Sequence, residues 1–230
     1  MRGLMYHHFG PGRYGISRDL FQQHCRAIAD LNNQDGSCSE LEVTFDDGRQ
    51  DVLDAASDLE AVGLKGRFFI TTGWLGRPGH LSSERIKELQ QRGHLIGLHG
   101  HTHRFLRGMG IRELNEELQA GLQILTSLTG TKVEEASLPG GRYDVAALHV
   151  FGDLGIKRLW TSQPGHWRET FASLELKGRD LVGREAKPGF LVELSRGRGD
   201  RVRSMVYAVK SAGKLLIGDG LYHKMTLNES

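Results

Sequence analysis

The chain has 230 residues, 38% of them hydrophobic and 25% charged, which suffices for one sizeable core and is ordinary for a globular protein. Its 30 basic and 28 acidic residues leave a formal charge of +2, which argues against a dedicated nucleic-acid binder; the one basic cluster, Arg196, Arg198, Arg201 and Arg203, reads as a solvated loop. Two cysteines, Cys25 and Cys38, exclude a disulfide framework, and no stretch approaches the roughly 20 apolar residues needed to span a bilayer.

Met1 to Phe9 holds no apolar run of signal-peptide length, so the chain as it stands is expected in the cytoplasm. Leu4, Met5 and Tyr6 predict a first strand that delivers His7 and His8 to its end before Gly-Pro-Gly. Leu20, Phe21, Ile28 and Leu31 are spaced for an amphipathic helix over Ser17–Leu31, with Ser17 as N-cap. A polar turn over Asn32–Ser39 follows, then a strand through Leu41, Val43 and Phe45 that stops at Asp46-Asp47-Gly48.

The next helix runs through Val52, Leu53, Ala56, Leu59 and Val62, with Gly63 as a C-cap candidate. Arg67–Thr72 is a β-branched and aromatic strand, Thr72–Ser82 a glycine-rich loop, and Ser82 opens a helix to about Gln91. Leu95–Leu98 is a strand ending at His99; Ile111–Leu128 is a longer helix; Val133–Leu138 is a strand closed by Pro139-Gly140-Gly141. Val145–Leu154 reads as helix, Ile156–Trp160 and Phe190–Leu194 as strands, and Val202–Ala212 as helix. Strand–helix units recurring in this way predict a parallel α/β architecture, in which polar groups at the C-terminal ends of strands converge on one site.

Two features carry chemistry. Asp46 and Asp47 are adjacent carboxylates leaving a strand, and like charges at close range resist joint burial unless a cation lies beside them; a plain turn is the simpler reading of Asp-Asp-Gly alone. His99, His101 and His103 fall within five positions. A helical turn would put His99 and His103 on one face, and an extended strand would align all three. One carboxylate with two imidazoles, leaving coordination positions open, is the donor set of a catalytic metal, zinc first, with cobalt, manganese or iron also able to sit there. The second carboxylate is then free to take a proton from metal-bound water.

These residues resemble the polysaccharide deacetylase family, carbohydrate esterase family four, over about Leu4 to Gly165. Thr44-Phe45-Asp46-Asp47-Gly48 matches the family's first motif in every position, and Gly93 to His103 is similar to the second, an H-x-x-x-H unit. The resemblance implies an irregular (β/α) barrel of about seven parallel strands, in a single catalytic domain over 1–230. It also implies a hydrolase that removes N-acetyl groups from an amino sugar or polysaccharide intermediate, releasing acetate. Asp46 is then the general base, and Asp47, His99 and His103 hold the metal. Ser137 to Tyr143 lies where the third motif falls, with the Gly140 N–H as oxyanion donor and Tyr143 beside the substrate.

Two departures stand out. Ser137 occupies the position of the arginine that orients the base, with Arg142 as a substitute. The late leucine-x-histidine motif that supplies the acid has no clear counterpart, which leaves His7 and, within Leu221-Tyr222-His223, His223. Trp160 is a candidate wall of the sugar pocket or else core, and Trp74 a more exposed candidate for substrate contact. A catalytically impaired saccharide-binding module, an amidase on a non-sugar substrate, and a metallo-β-lactamase-like hydrolase (from His-x-His-x-His) are the competing readings. The expected partner is an N-acetylated saccharide in a cytoplasmic or membrane-face pathway; metal identity and oligomeric state are not fixed.

Overall fold

The computed structural model describes residues 1–12, 14–34 and 40–217, the last six of these by backbone alone. Its strands are β1 (Arg2–Tyr6), β2 (His8–Phe9), β3 (Gly15–Ile16), β4 (Leu41–Phe45), β5 (Gly66–Ile70), β6 (Leu95–Leu98), β7 (Glu135–Ser137), β8 (Arg158–Trp160), β9 (Arg168–Phe171), β10 (Leu174–Lys177) and β11 (Arg179–Leu181). The helices are α1 (Arg18–Asn32), α2 (Val52–Glu60), α3 (Ser83–Gln91), α4 (Ile111–Thr129), α5 (Val145–Asp153), α6 (Pro188–Ser195) and α7 (Asp200–Ile217).

Nine strands form one sheet in the order β11-β1-β4-β5-β6-β7-β8-β10-β9, parallel except for β9, while β2 and β3 pair separately. Only Gly178 separates β10 from β11, yet β10 pairs with β8 (Leu176 opposite Leu159) and β11 with β1 (Asp180 opposite Leu4). The two are halves of one bent strand that changes partner midway and closes the sheet on itself. Seven parallel strands thus make the ring, in keeping with the expected irregular (β/α) barrel. Glycine is required at the bend, because a Cβ on residue 178 would meet the Gln163 carbonyl oxygen at 2.4 Å.

Alternation along the strands sorts residues into two layers. Leu4, Tyr6, Val43, Phe45, Phe68, Ile70, Leu98, Leu159 and Leu176 face outward and are buried in one apolar cluster with Phe21, Ile28, Ala55, Leu59, Ile86, Leu118 and Leu125 of the helices. The inward set is different in kind. Glu42, Arg67, Glu135, Arg158, Glu175 and Lys177 interlock near the N-terminal ends of the strands, with Arg67 2.8 Å from Glu42 and 3.1 Å from Glu135, and Arg158 2.9 Å from Glu175. Trp160 plugs this network, fully buried, with Nε1 donating to Glu135 at 2.8 Å.

Ser17 caps α1 as expected, its Oγ accepting from the Leu20 N–H at 3.2 Å. One expectation needs correction. Phe190–Leu194 is not a strand but the middle of α6: Pro188 occupies the first turn, where its missing N–H costs nothing, and Leu191, Leu194 and Ser195 fall on one buried helical face. The last barrel strand is instead Leu174–Leu181. Residues 35–39 of the expected polar turn lie outside the described residues. No helix among the described residues is long and apolar enough to cross a membrane.

Candidate active site

Five strand ends deliver the chemistry to one mouth of the barrel. β1 is followed by His7, β4 by Asp46 and Asp47, and β6 by His99; β7 ends on Ser137, and β11 opens with Arg179. Asp46 and His99 are buried, and Asp47 and His103 half-buried.

Asp46 is gripped from two sides. Arg179 donates Nη1 to Oδ1 at 2.7 Å and Nη2 to Oδ2 at 2.9 Å, a bidentate fork between side chains that are almost wholly excluded from water. Ser137 Oγ donates to Asp46 Oδ1 at 3.1 Å. Burial alone would raise the Asp46 pKa, but the Arg179 guanidinium, helped by His99 and His7, outweighs it and holds the carboxyl below its usual range.

Ser137 also fixes a tautomer. Its hydroxyl has one hydrogen, given to Asp46, so at 2.6 Å from His99 Nδ1 it must accept. His99 therefore carries its proton on Nδ1 and turns the lone pair of Nε2 toward Asp47. Asp47 Oδ1 lies 3.3 Å from Nε2 of both His99 and His103. That buried oxygen has no hydrogen-bond partner among the described residues.

The chain reaches this geometry by neither a helical turn nor an extended strand. After β6, Gly100 takes φ 74 and His103 φ 63, so the segment folds into a tight irregular turn. Glu117 of α4, itself buried, accepts from the backbone N–H groups of His101 and Thr102, both at 2.7 Å, and from the Thr102 hydroxyl at 2.8 Å. His101 turns away and bonds Thr72 Oγ at 2.9 Å. Asp47, His99 and His103 each offer a ligand atom within 4.8 Å of the others, and the Asp47 oxygen is a buried carboxylate oxygen with no hydrogen-bond partner among the described residues. The donor chemistry fits a divalent metal.

The remaining candidates fall at graded distances. His7 is half-buried with Nδ1 sealed from solvent and stacks on Tyr14 at 4.7 Å; burial lowers its pKa against the opposing pull of Asp47 and Asp46. Trp74 packs over the His103 ring at 4.6 Å and stands half-buried at the rim. Gly140 takes φ 59 in the turn after β7, where a Cβ would strike the Phe105 ring. Arg142 does not orient Asp46: it is buried, with its guanidinium 5.6 Å over the Phe105 ring, and Arg179 occupies the role instead. Trp160 walls no open pocket, since its indole is spent inside the barrel. Tyr143 is half-buried, and His223 lies outside the described residues.

Sequence reasoning missed Arg179, Glu117 and the bridging part of Ser137. The signal for Arg179 was present in Leu174-Glu-Leu-Lys-Gly-Arg, where charged residues alternate with apolar ones as on an inward strand face.

The barrel's strand ends thus bring two carboxylates, three imidazoles and a guanidinium to one mouth. The chain belongs to the polysaccharide deacetylase family, whose profile matches residues 33–159. It is 27% identical over 179 residues to the polysaccharide deacetylase YxkH of Bacillus subtilis, covering 70% of this chain and 64% of that one, so it spans less than two thirds of that relative's length. Its fold is that of the Streptococcus pyogenes deacetylase PplD, solved in complex with acetate (TM-score 0.74, 20% identity, 85% of this chain and 97% of that chain). It is also that of IcaB from Ammonifex degensii (TM-score 0.73, 23% identity, 85% and 96%).

Proposed function

We propose that this protein is a metal-dependent deacetylase that hydrolyses the N-acetyl group of an amino sugar, releasing acetate and a free amine. The observation that carries this reading is the single network in which Arg179 and Ser137 hold Asp46 ionised, Ser137 Oγ accepts from His99 Nδ1, and Asp47 Oδ1 lies 3.3 Å from Nε2 of both His99 and His103. Asp47, His99 and His103 are the residues that would hold the metal. When bound, a divalent metal there supplies Lewis acidity toward the acetamide carbonyl and lowers the pKa of water.

The rest of the chemistry belongs to the chain. Asp46, kept as carboxylate by the Arg179 fork, accepts the proton of the attacking water; a positioned base of this kind contributes about 10²- to 10⁴-fold in rate. The Gly140 N–H is the candidate donor to the oxyanion that forms as the carbonyl carbon becomes tetrahedral. The leaving amine requires the proton that Asp46 takes from water, and His7 is the candidate relay, receiving that proton from Asp46 and passing it to the amine nitrogen as the C–N bond breaks. Trp74, resting on His103 at the rim, offers an aromatic face to a sugar ring.

The test is acetate release from a panel of N-acetylated saccharides, with metal-loaded wild type and Asp46→Asn side by side. The reading requires release by wild type and a loss of about 10²- to 10⁴-fold in Asp46→Asn, with metal content unchanged. Release from non-sugar acetamides alone would move the substrate class and keep the mechanism. No release from either panel by protein holding one equivalent of metal would overturn the enzyme.

A further inference from the structure

Helix α7 carries its apolar stripe on the side away from the body of the protein. Arg203, Ser204, Tyr207 and Ser211 are the half-buried positions, and Arg203 pairs with Asp180 at 3.1 Å while lying over the Phe190 ring. On the opposite face Val202, Met205, Val206 and Val209 are 61%, 64%, 43% and 67% exposed. At 3.6 residues per turn these four fall within an arc of about 100°, the width of an ordinary buried stripe. They are half of the eight large apolar residues exposed among the described residues, so they form a patch rather than the usual scatter.

Charge identifies what the patch would meet. Exposed Arg201 and Lys210 flank the stripe on its two sides. Residues 196–217 hold six basic side chains and one acidic, in a chain whose formal charge is only +2. A second copy packed through this face would set one basic stripe against another. An anionic lipid surface would instead take the apolar side chains into the headgroup boundary and the flanking cations against phosphate. At 18 residues, with Arg201 and Lys210 on its sides, the helix suits lying on a bilayer rather than crossing it.

We propose that α7 is a membrane-surface helix that seats this protein on anionic lipid through Val202, Met205, Val206 and Val209, with Arg201 and Lys210 facing the phosphates.

Vesicle sedimentation tests this on the full chain, with vesicles of phosphatidylcholine alone and of phosphatidylcholine mixed equally with phosphatidylglycerol. Wild type should pellet with the mixed vesicles and not with the neutral ones, and added salt should weaken the binding. Val206→Asp with Val209→Asp should reduce binding by at least about tenfold. Arg201→Gln with Lys210→Gln, which leaves the apolar stripe whole, should weaken binding roughly fivefold per charge removed. Unchanged melting temperatures show that both variants fold. Equal binding by wild type and both variants, or no binding by wild type, overturns the proposal. So does a wild-type dimer in sedimentation velocity that Val206→Asp with Val209→Asp converts to monomer, since a second copy would then own the stripe.

Discussion

At the residue scale, the informative substitution is the serine at position 137. A hydroxyl there is short enough to sit between a carboxylate and an imidazole and to serve both, while the guanidinium arrives from the far side on β11. Each contact makes a prediction. Arg179→Lys keeps the charge but not the fork, and should lower kcat by about ten- to a hundredfold through loss of alignment. With less opposing it, burial raises the Asp46 pKa, so the acid limb of kcat/KM should move to higher pH; a pH–rate profile with an unmoved limb would separate Arg179 from the base. Ser137→Ala removes the acceptor for His99 Nδ1–H, and metal affinity in a competition titration should drop roughly 10- to 100-fold. Asp46, Asp47, His99 and His103 were legible because each pair sits within one short motif. Arg179 was not, because its partner is 133 residues away and the pairing exists only once the barrel closes.

At the element scale, β4, β5 and β6 were readable because their outward residues are apolar and their borders are marked by glycine or a carboxylate pair. β10 and β11 were not. Their inward face carries Glu175, Lys177 and Arg179, so a rule that expects apolar interiors discounts them, although the barrel satisfies each charge with a partner. The bend between them makes a sharp test. Gly178→Val would drive a side chain into the Gln163 carbonyl and the Trp167 side chain, and should destabilise by about 1–3 kcal/mol or more, read as a lower melting temperature.

Helix α1 gives a second test at this scale. His24 is fully buried, bonded to Tyr6 and to the Ala186 carbonyl, and burial lowers its pKa from 6.5 despite that carbonyl. The unfolded chain then binds the proton more readily than the folded one. The stability this histidine contributes is complete above pH 6.5 and is lost as pH falls from there through the lowered folded value. Wild type should therefore lose more stability than His24→Gln between neutral pH and about pH 5, measured by urea unfolding.

At the scale of the whole molecule, the donor set links ligand and fold. Asp47, His99 and His103 converge on one point only in the folded chain, and a cation bound there stabilises the fold by about 2.7 kcal/mol at a hundred times its Kd. Chelation should lower the melting temperature by on the order of 5–10 °C, and Asp47→Asn should respond far less.

The strand that closes the ring also sets a timetable. β1 is the first of these strands in the chain, and one of its edges stays open until β11 arrives some 175 residues later, whereas β8 waits only about 15 residues for β10. At about 5–20 residues per second, a ribosome leaves the β1 edge bare for roughly ten seconds or more. Through that interval the nascent chain is an open parallel sheet with two adhesive borders, the form most prone to pair with a neighbour on the same message. The bent segment around Gly178 is thus the moment in synthesis at which a sticky intermediate becomes a sealed one, and the same moment brings Arg179 onto Asp46. An unsealed barrel is also an unarmed one.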